Sequence, residues 1–265
     1  MTQTPRIPAP PEPKPEHERS TGARPLGTAT EQAAASNVQQ MFDTIAPRYD
    51  LLNHVLSVGL DLWWWSRASR AFRPTLNRPE AVVLDLCCGT GDMTLALLKH
   101  RPKAPNTAPI LAVDFSHNML RRGAVKFAPH NILPIEADAL HLPLADNSVD
   151  LVTSAFGFRN LANYHEGLTE IRRVLRPGGQ LGILECNQPE GLTGAIYSIY
   201  FKSILPRLGG LITGNTPAYS YLNASVERFP RPPRMIQLLK DAGFINPTWT
   251  SYTLGVVGLY HATRP

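Results

Sequence analysis

The stretch "LDLCCGTGD" (84–92) ends an apolar run around Asp85 and then sets Gly89 and Gly91 on either side of Thr90. Glycines in such a turn let a ligand approach bare backbone, and a helix opening directly behind it offers unsatisfied N–H groups. Neither common phosphate motif is complete. A dinucleotide fingerprint wants a third glycine, which is missing after Gly91, and a P-loop wants a terminal Gly-Lys-Ser/Thr. What accompanies the turn is negative charge. Asp114 closes "LAVDFS" and Asp138 closes "IEADAL", so three successive apolar runs carry a carboxylate at or near their ends. Carboxylates repel pyrophosphate, but they accept hydrogen bonds from hydroxyl and amine groups and attract a cation. S-adenosyl-L-methionine, with its sulfonium, ribose diol and adenine amine, is the ligand such a set suits. Asp114 is expected at the ribose and Asp138, or the backbone beside it at Ala139, at the adenine. Asp85 with the loop Gly89, Thr90 and Gly91 is expected around the amino-acid end. A single Gly-x-Gly turn or strand-end Asp is usually only a turn or a cap; the register over consecutive strands is what points to a ligand site.

The elements that must hold these residues alternate. "AVVLDLC" reads as a buried strand, and "ILAVDF", "ILPIEAD", "SVDLVTSAFG" and "GQLGILEC" read as strands. Between them "DMTLALLKH", "NMLRRGAVKFA" and "YHEGLTEIRRVL" read as helices, which predicts a mostly parallel, doubly wound α/β sheet covered on both faces. Residues 29–78 are expected to form two or three helices ahead of the first strand, with Val38, Met41, Phe42 and Ile45 on one helix face. Three consecutive tryptophans, Trp63, Trp64 and Trp65, are read as packing a helix on the core, but they cannot share one helix face, which leaves one free to reach the substrate or a membrane surface. Residues 189–230 break the alternation as a helical insertion. "PPRMIQLLKDAGF" then predicts a helix ended by Gly243, and "TWTSYTLGVVGLYHA" two last strands meeting near Gly255. Residues 1–28, rich in Pro and charge, are expected to be a disordered tail, and 29–265 a single domain.

Composition narrows the class. A 43% hydrophobic content supports a full core. The net charge of +5 is scattered along the chain, and the segment "SAFGFRN" lacks the Asn/Asp-Pro-Pro-aromatic pattern of base N-methylation, so no nucleic-acid partner is expected. Three cysteines without a Cys-x-x-Cys pair suggest neither disulfides nor a metal site, and a cytoplasmic location fits. No apolar run reaches the ~20 residues of a membrane span.

Several further stretches resemble the UbiE/MenG family of quinone C-methyltransferases. They are "YDLLNHVLSVGLDLWW" (49–64), "AFGFRN" (155–160), "RVLRPGGQLGILEC" (173–186), and "YSYLNASVERFP" with "LLKDAGF". The likeness spans about residues 38–262. Asp61, Ala155, Arg176 and Asn187 depart from the family pattern, which usually has His, Ser, Lys and Ser there. The resemblance implies a Rossmann-like class I SAM-dependent methyltransferase fold with a seven-stranded sheet. It implies methyl transfer to the ring of a polyprenyl quinol in menaquinone or ubiquinone biosynthesis, without a metal. Arg159 and Asn160 are expected to orient a substrate oxygen or a water, with Tyr49 and His54 on the opposite wall. Arg159 paired with a carboxylate such as Asp150 is the competing reading. The segment "AIYSIYFKSILPRLGGLI" (195–212) suits either a lid or a contact with lipid at the inner membrane face. Homo-oligomerisation, another small aromatic or lipid acceptor, and a non-catalytic SAM-binding role remain as alternatives.

Overall fold

The computed structural model describes residues 22–25, 28–46, 54, 57–191, 194 and 216–265. The expected lid at 195–212, residues 1–21 of the expected tail and Tyr49 lie outside the described residues, whereas residues 22–25 of that tail are described, with Ala23 buried and its N–H donating to the Leu161 carbonyl at 2.8 Å.

Among the described residues three helices precede the sheet: α1 (Glu31–Ile45), α2 (Leu60–Ala71) and the short α3 (Arg73–Leu76). Then follow β1 (Val83–Leu86), α4 (Asp92–Leu98), β2 (Ile110–Asp114), α5 (His117–Phe127), β3 (Ile132–Glu136) and β4 (Val149–Ala155). A 3₁₀ turn at Phe158–Asn160 leads to α6 (Tyr164–Val174) and β5 (Leu175–Cys186). The chain closes with α7 (Thr216–Arg228), α8 (Pro232–Asp241), β6 (Ile245–Tyr252) and β7 (Val257–Thr263). Side-chain caps mark where the helices begin. Thr30 Oγ1 accepts from Ala33 N–H, Ser116 Oγ from Met119 N–H and Asn163 Oδ1 from Glu166 N–H, each satisfying a donor the helix leaves open.

The seven strands run in the order β3-β2-β1-β4-β5-β7-β6, parallel except for β7, which is antiparallel to both its neighbours. This is the mostly parallel α/β sheet expected. Its central strands are apolar on both sides. Leu84, Leu86, Val152, Leu181 and Ile183 face a core shared with Tyr164, Leu168, Ile171 and Leu239. Val83, Leu151 and Leu184 face the other core, with Trp64, Trp65, Phe72 and Leu97. Alternate residues point to opposite faces, so helices on both sides are needed to cover these strands. The tryptophan run divides as its geometry demands: Trp64 and Trp65 are buried and Trp63 is exposed.

The chain moves outward from β1 through β2 to β3, and the connection from β3 to β4 crosses back to the other side of β1. The crevice beyond the C-terminal ends of β1 and β4 is therefore where such a sheet opens to ligands.

Candidate active site

The strand ends at this crevice hold unusual backbone. Directly after β1, Cys87 adopts φ 57°, followed by Gly89 at 56° and Gly91 at 92°; directly after β4, Phe156 adopts φ 58°. For non-glycine residues this left-handed conformation costs about 1–2 kcal/mol each. Close approach fixes two glycines. A Cβ on Gly157 would stand 2.3 Å from Cys87 Cβ, and one on Gly91 would stand 2.1 Å from Phe127 Cε1.

Two adjoining cavities open here, sharing Cys87, Gly89 and Phe156. The larger encloses about 730 Å³, part of it open to solvent, with Val113, Met119 and Leu140 among its apolar lining and Asp114 and Asp138 among its polar one. Asp114 Oδ2 accepts the Gly89 N–H at 2.8 Å and its Oδ1 accepts the Ser116 N–H at 2.9 Å. Burial raises its pKa to about 6 against these backbone donors, with a small further push from Asp43. Asp138 stands exposed at the rim beside Ala139, its Oδ1 accepting the Leu140 N–H at 2.9 Å. Helix α1 lies across this cavity. Ala35 and Phe42 line it, Gln39 Nε2 donates to the Phe115 carbonyl at 2.6 Å, and Ser116 Oγ donates to Asp43 Oδ1 at 2.5 Å.

The smaller cavity, about 360 Å³, is lined by Trp65, Asp85, Thr90, Met93 and Ala155 as well as the shared residues. Asp85 is fully buried, and each of its oxygens receives a hydroxyl: Thr94 Oγ1 at 2.6 Å on Oδ2 and Thr153 Oγ1 at 3.1 Å on Oδ1. Burial pushes its pKa up to about 7; the two hydroxyls oppose this and the nearby Asp114 charge adds to it. Thr90 Oγ1 accepts from Lys126 Nζ at 3.3 Å, and Lys126 also pairs with Asp92 at 2.8 Å. All seven residues expected around the cofactor thus come together: Asp85 and Thr90 at the smaller cavity, Asp114, Asp138 and Ala139 at the larger, and Gly89 at both. Gly91 supports the loop from behind, against Phe127.

The residues present fit an adenosyl sulfonium donor. No lysine or arginine lines the described walls of either cavity, whereas carboxylates stand at both, beside apolar surface wide enough for a base. Such a set accepts hydrogen bonds and tolerates a cation, and the lysine beside it, Lys126, is already paired with Asp92.

The ubiE/COQ5 methyltransferase family model matches residues 29–264. The chain belongs to this family. A demethylmenaquinone methyltransferase of Deinococcus radiodurans is 43% identical over 239 residues, covering 89% of this chain and 95% of that protein. One from Thermus thermophilus is 43% identical over 228 residues, covering 85% and 100%. Among solved structures, a SAM-dependent methyltransferase of Thermotoga maritima superposes with a TM-score of 0.61 at 15% identity, over 86% of this chain and all of that one. The chain has the class I SAM-dependent methyltransferase fold, and its cofactor is S-adenosyl-L-methionine.

The residues expected to handle the acceptor are arranged less simply. Arg159 lines neither cavity. It is buried, its Nη1 paired with Glu185 Oε2 at 2.9 Å and donating to the Phe156 carbonyl, while its backbone N–H binds Glu185 Oε1 at 3.0 Å. Asp150, the suggested carboxylate partner, is held instead by Arg78, Arg176 and the Val82 N–H. Asn160 does line the larger cavity, and its Oδ1 accepts from Tyr221 OH at 3.1 Å. His54 Nδ1 lies 2.6 Å from Oδ2 of the buried Asp61, and its ring meets Trp65 edge to face at 6.1 Å. Departure from the family pattern at Asp61 therefore has a partner in place. So does Asn187, whose Oδ1 accepts from Tyr260 OH at 2.6 Å and whose Nδ2 donates to the Glu185 carbonyl at 3.0 Å.

Sequence reasoning missed Thr94, Thr153 and Glu185. Thr153 pairs with Asp85 in the β1–β4 register, which the order of strands alone could have suggested. Thr94, on the first turn of α4, was within reach of the same argument. Glu185 carried no signal, since a carboxylate inside "GILEC" is silent until its partner is known.

Proposed function

We propose that this methyltransferase acts on a ring carbon of a polyprenyl quinol, most simply demethylmenaquinol. What supports this reading is the near-full-length similarity to proteins named for that reaction, together with two adjoining cavities that both carry carboxylates and aromatic side chains. Asp114 receives the ribose hydroxyls and Asp138 with the Ala139 backbone receives the adenine. Asp85, Gly89, Thr90 and the turn closed by Gly91 border the amino-acid end. The bound cofactor supplies an electrophilic methyl group on a positively charged sulfur.

The protein's own contribution is alignment and proton handling. Holding the acceptor ring near Phe156, on the wall the two cavities share, converts an encounter into an intramolecular geometry, which can lower the barrier by several kcal/mol. His54, oriented through Nδ1 by Asp61, has Nε2 left to take the proton of a ring hydroxyl, directly or through a water. The ring then becomes a stronger carbon nucleophile. Asn160, steadied by Tyr221, orients an oxygen from the other side. Arg159 is a positioning residue: with Glu185 it fixes the Phe156–Asn160 turn. Because the substrate carries an isoprenoid tail, the enzyme works at the surface of a membrane; among the described residues no helix is long and apolar enough to cross one.

Incubating the purified protein with S-adenosyl-L-methionine and a reduced short-tail demethylmenaquinone, with mass detection of the product, tests the reading. A ring-methylated quinol is expected. Absence of product from a protein that binds the cofactor in calorimetry would discard the quinol assignment and leave the cofactor site standing.

A further inference from the structure

The first two turns of α2 do two things at once. Their inner face buries Asp61, Trp64 and Trp65, the last of which lines the smaller cavity, while their outer face presents large apolar side chains to solvent. Leu62 is 61% and Trp63 49% exposed. Two neighbouring turns add to this face. Val58, just ahead of the helix, is 79% exposed, and Leu254, between β6 and β7, is 80% exposed. Leu254 lies beside the helix because Trp64 Nε1 donates to Thr253 Oγ1 at 2.7 Å and Trp63 packs edge to face on Tyr252 at 5.6 Å. Both Val58 and Leu254 sit at φ 54°, a conformation suited to Gly or Asn and poorly suited to a β-branched or bulky residue. Exposure and backbone strain thus coincide at the same two apolar side chains.

Along α2 the charge beyond the patch has one sign. Leu60, Trp63, Arg67 and Arg70 follow one another at helical spacing on the outer stripe of α2, and Arg73 and Lys99 lie close beyond. His100 records this clustering: burial first, then Arg73, Arg70 and Lys99, lower its pKa. Between residues 57 and 77 the only acidic residue is Asp61, and it is buried beside His54. Among the described residues Arg67, Arg70, Arg73 and Lys99 make no ion pair with a carboxylate. An apolar tip holding a half-exposed tryptophan, followed by unpaired arginines, matches the depth profile of a bilayer surface: acyl chains first, then anionic headgroups.

We propose that the outer face of α2, with Val58 and Leu254, docks the enzyme on an anionic lipid bilayer. The choice of a bilayer as partner rests on the quinol reading above, since a membrane-dissolved acceptor needs a path to the site. The same helix supplies that path. Trp65 on its inner side lines the smaller cavity and Trp63 on its outer side faces the lipid, so docking sets the cavity mouth next to the acyl layer.

The test is sedimentation of the full-length protein with vesicles of phosphatidylcholine alone or with about one-third phosphatidylglycerol. Binding to the anionic vesicles, weakened by salt, is expected. V58N/L254N, which replaces apolar residues by one that tolerates positive φ, should reduce the partition coefficient at least ~10-fold. R67Q/R70Q should abolish the preference for anionic lipid. Both variants should methylate a water-soluble, short-tail quinol at the wild-type rate and lose rate only on a long-tail quinol carried in vesicles. The proposal is overturned if the wild-type protein stays in the supernatant with both vesicle types, or if both variants sediment as the wild type does. It is also overturned if light scattering shows a dimer that V58N/L254N converts to monomer, since the patch would then be a protein interface. Sedimentation needs no substrate, so it stands or falls separately from failure of the quinol assay.

Discussion

Replacing Asp114 by Asn removes one charge from the larger cavity while keeping the side chain's shape, and its two consequences pull apart. In the folded protein the carboxylate accepts the Gly89 and Ser116 N–H groups on opposite oxygens. An amide has one oxygen, so its NH₂ must face one of those donors and leave it unpaired, at a cost of about 1–3 kcal/mol. Against this stands a relief. Raising the carboxyl from 3.8 to about 6 means that keeping it ionised near neutral pH costs the fold about 3 kcal/mol, and Asn does not carry that cost. Stability near pH 7 should therefore stay level or rise by up to about 2 kcal/mol. Cofactor binding has no such offset, because hydrogen bonds to a charged acceptor contribute about 1.5–3 kcal/mol, and calorimetry should show affinity falling roughly 10- to 100-fold. The pH dependence carries a second signature. A carboxyl that holds its proton more tightly when folded contributes stability that is complete below 3.8 and lost as pH rises through about 6. Urea denaturation without cofactor, compared between wild type and D114N from pH 4 to pH 7, isolates that loss, because the other groups largely cancel. Equal slopes for the two proteins, or a cofactor affinity in the variant within about threefold of wild type, would refute the role given to this carboxylate.

Other substitutions test the supporting structure. Gly91→Ala forces a side chain to φ 92° and onto Phe127, so unfolding should come easier by roughly 2–5 kcal/mol and Tm should drop visibly in calorimetry. Thr94→Val removes the shorter of two hydroxyl bonds to Asp85, so the carboxyl should titrate above its present value of about 7, and the stability carried by its protonated form should persist to higher pH in urea titrations. Glu185→Gln removes the counter-charge 2.9 Å from Arg159 and should destabilise by about 3–5 kcal/mol, with much of that recovered in the double variant E185Q/R159M; no loss in chemical denaturation would show that the pair does not hold the turn.

The fold was legible because its determinants are local. Runs such as "AVVLDLC" and "ILAVDF" are apolar but for one Asp each, close to what a strand buried on both faces requires, and the segments between them carry helical periodicity. The cofactor side of the site followed, because strand-end aspartates and the Gly89–Gly91 turn are fixed by where each strand stops. The acceptor side was less legible, for a physical reason. Its residues are positioned by contacts between distant segments: Arg159 by Glu185, Asn160 by Tyr221, and Trp64 by Thr253. Sequence pattern specifies that a residue is buried far better than it specifies against what. Arg159 shows the consequence, since a basic residue just beyond β4 reads as a substrate contact until its counter-ion is found inside β5. The left-handed backbone at Cys87 and Phe156 was equally hidden, because positive φ leaves a trace in the sequence only when glycine adopts it. These two residues stand at the facing ends of β1 and β4, and Gly157 packs on Cys87 there, so one close contact holds both turns. Strain concentrated at the point where strand order reverses fits a site whose geometry is set by the sheet rather than by the ligand.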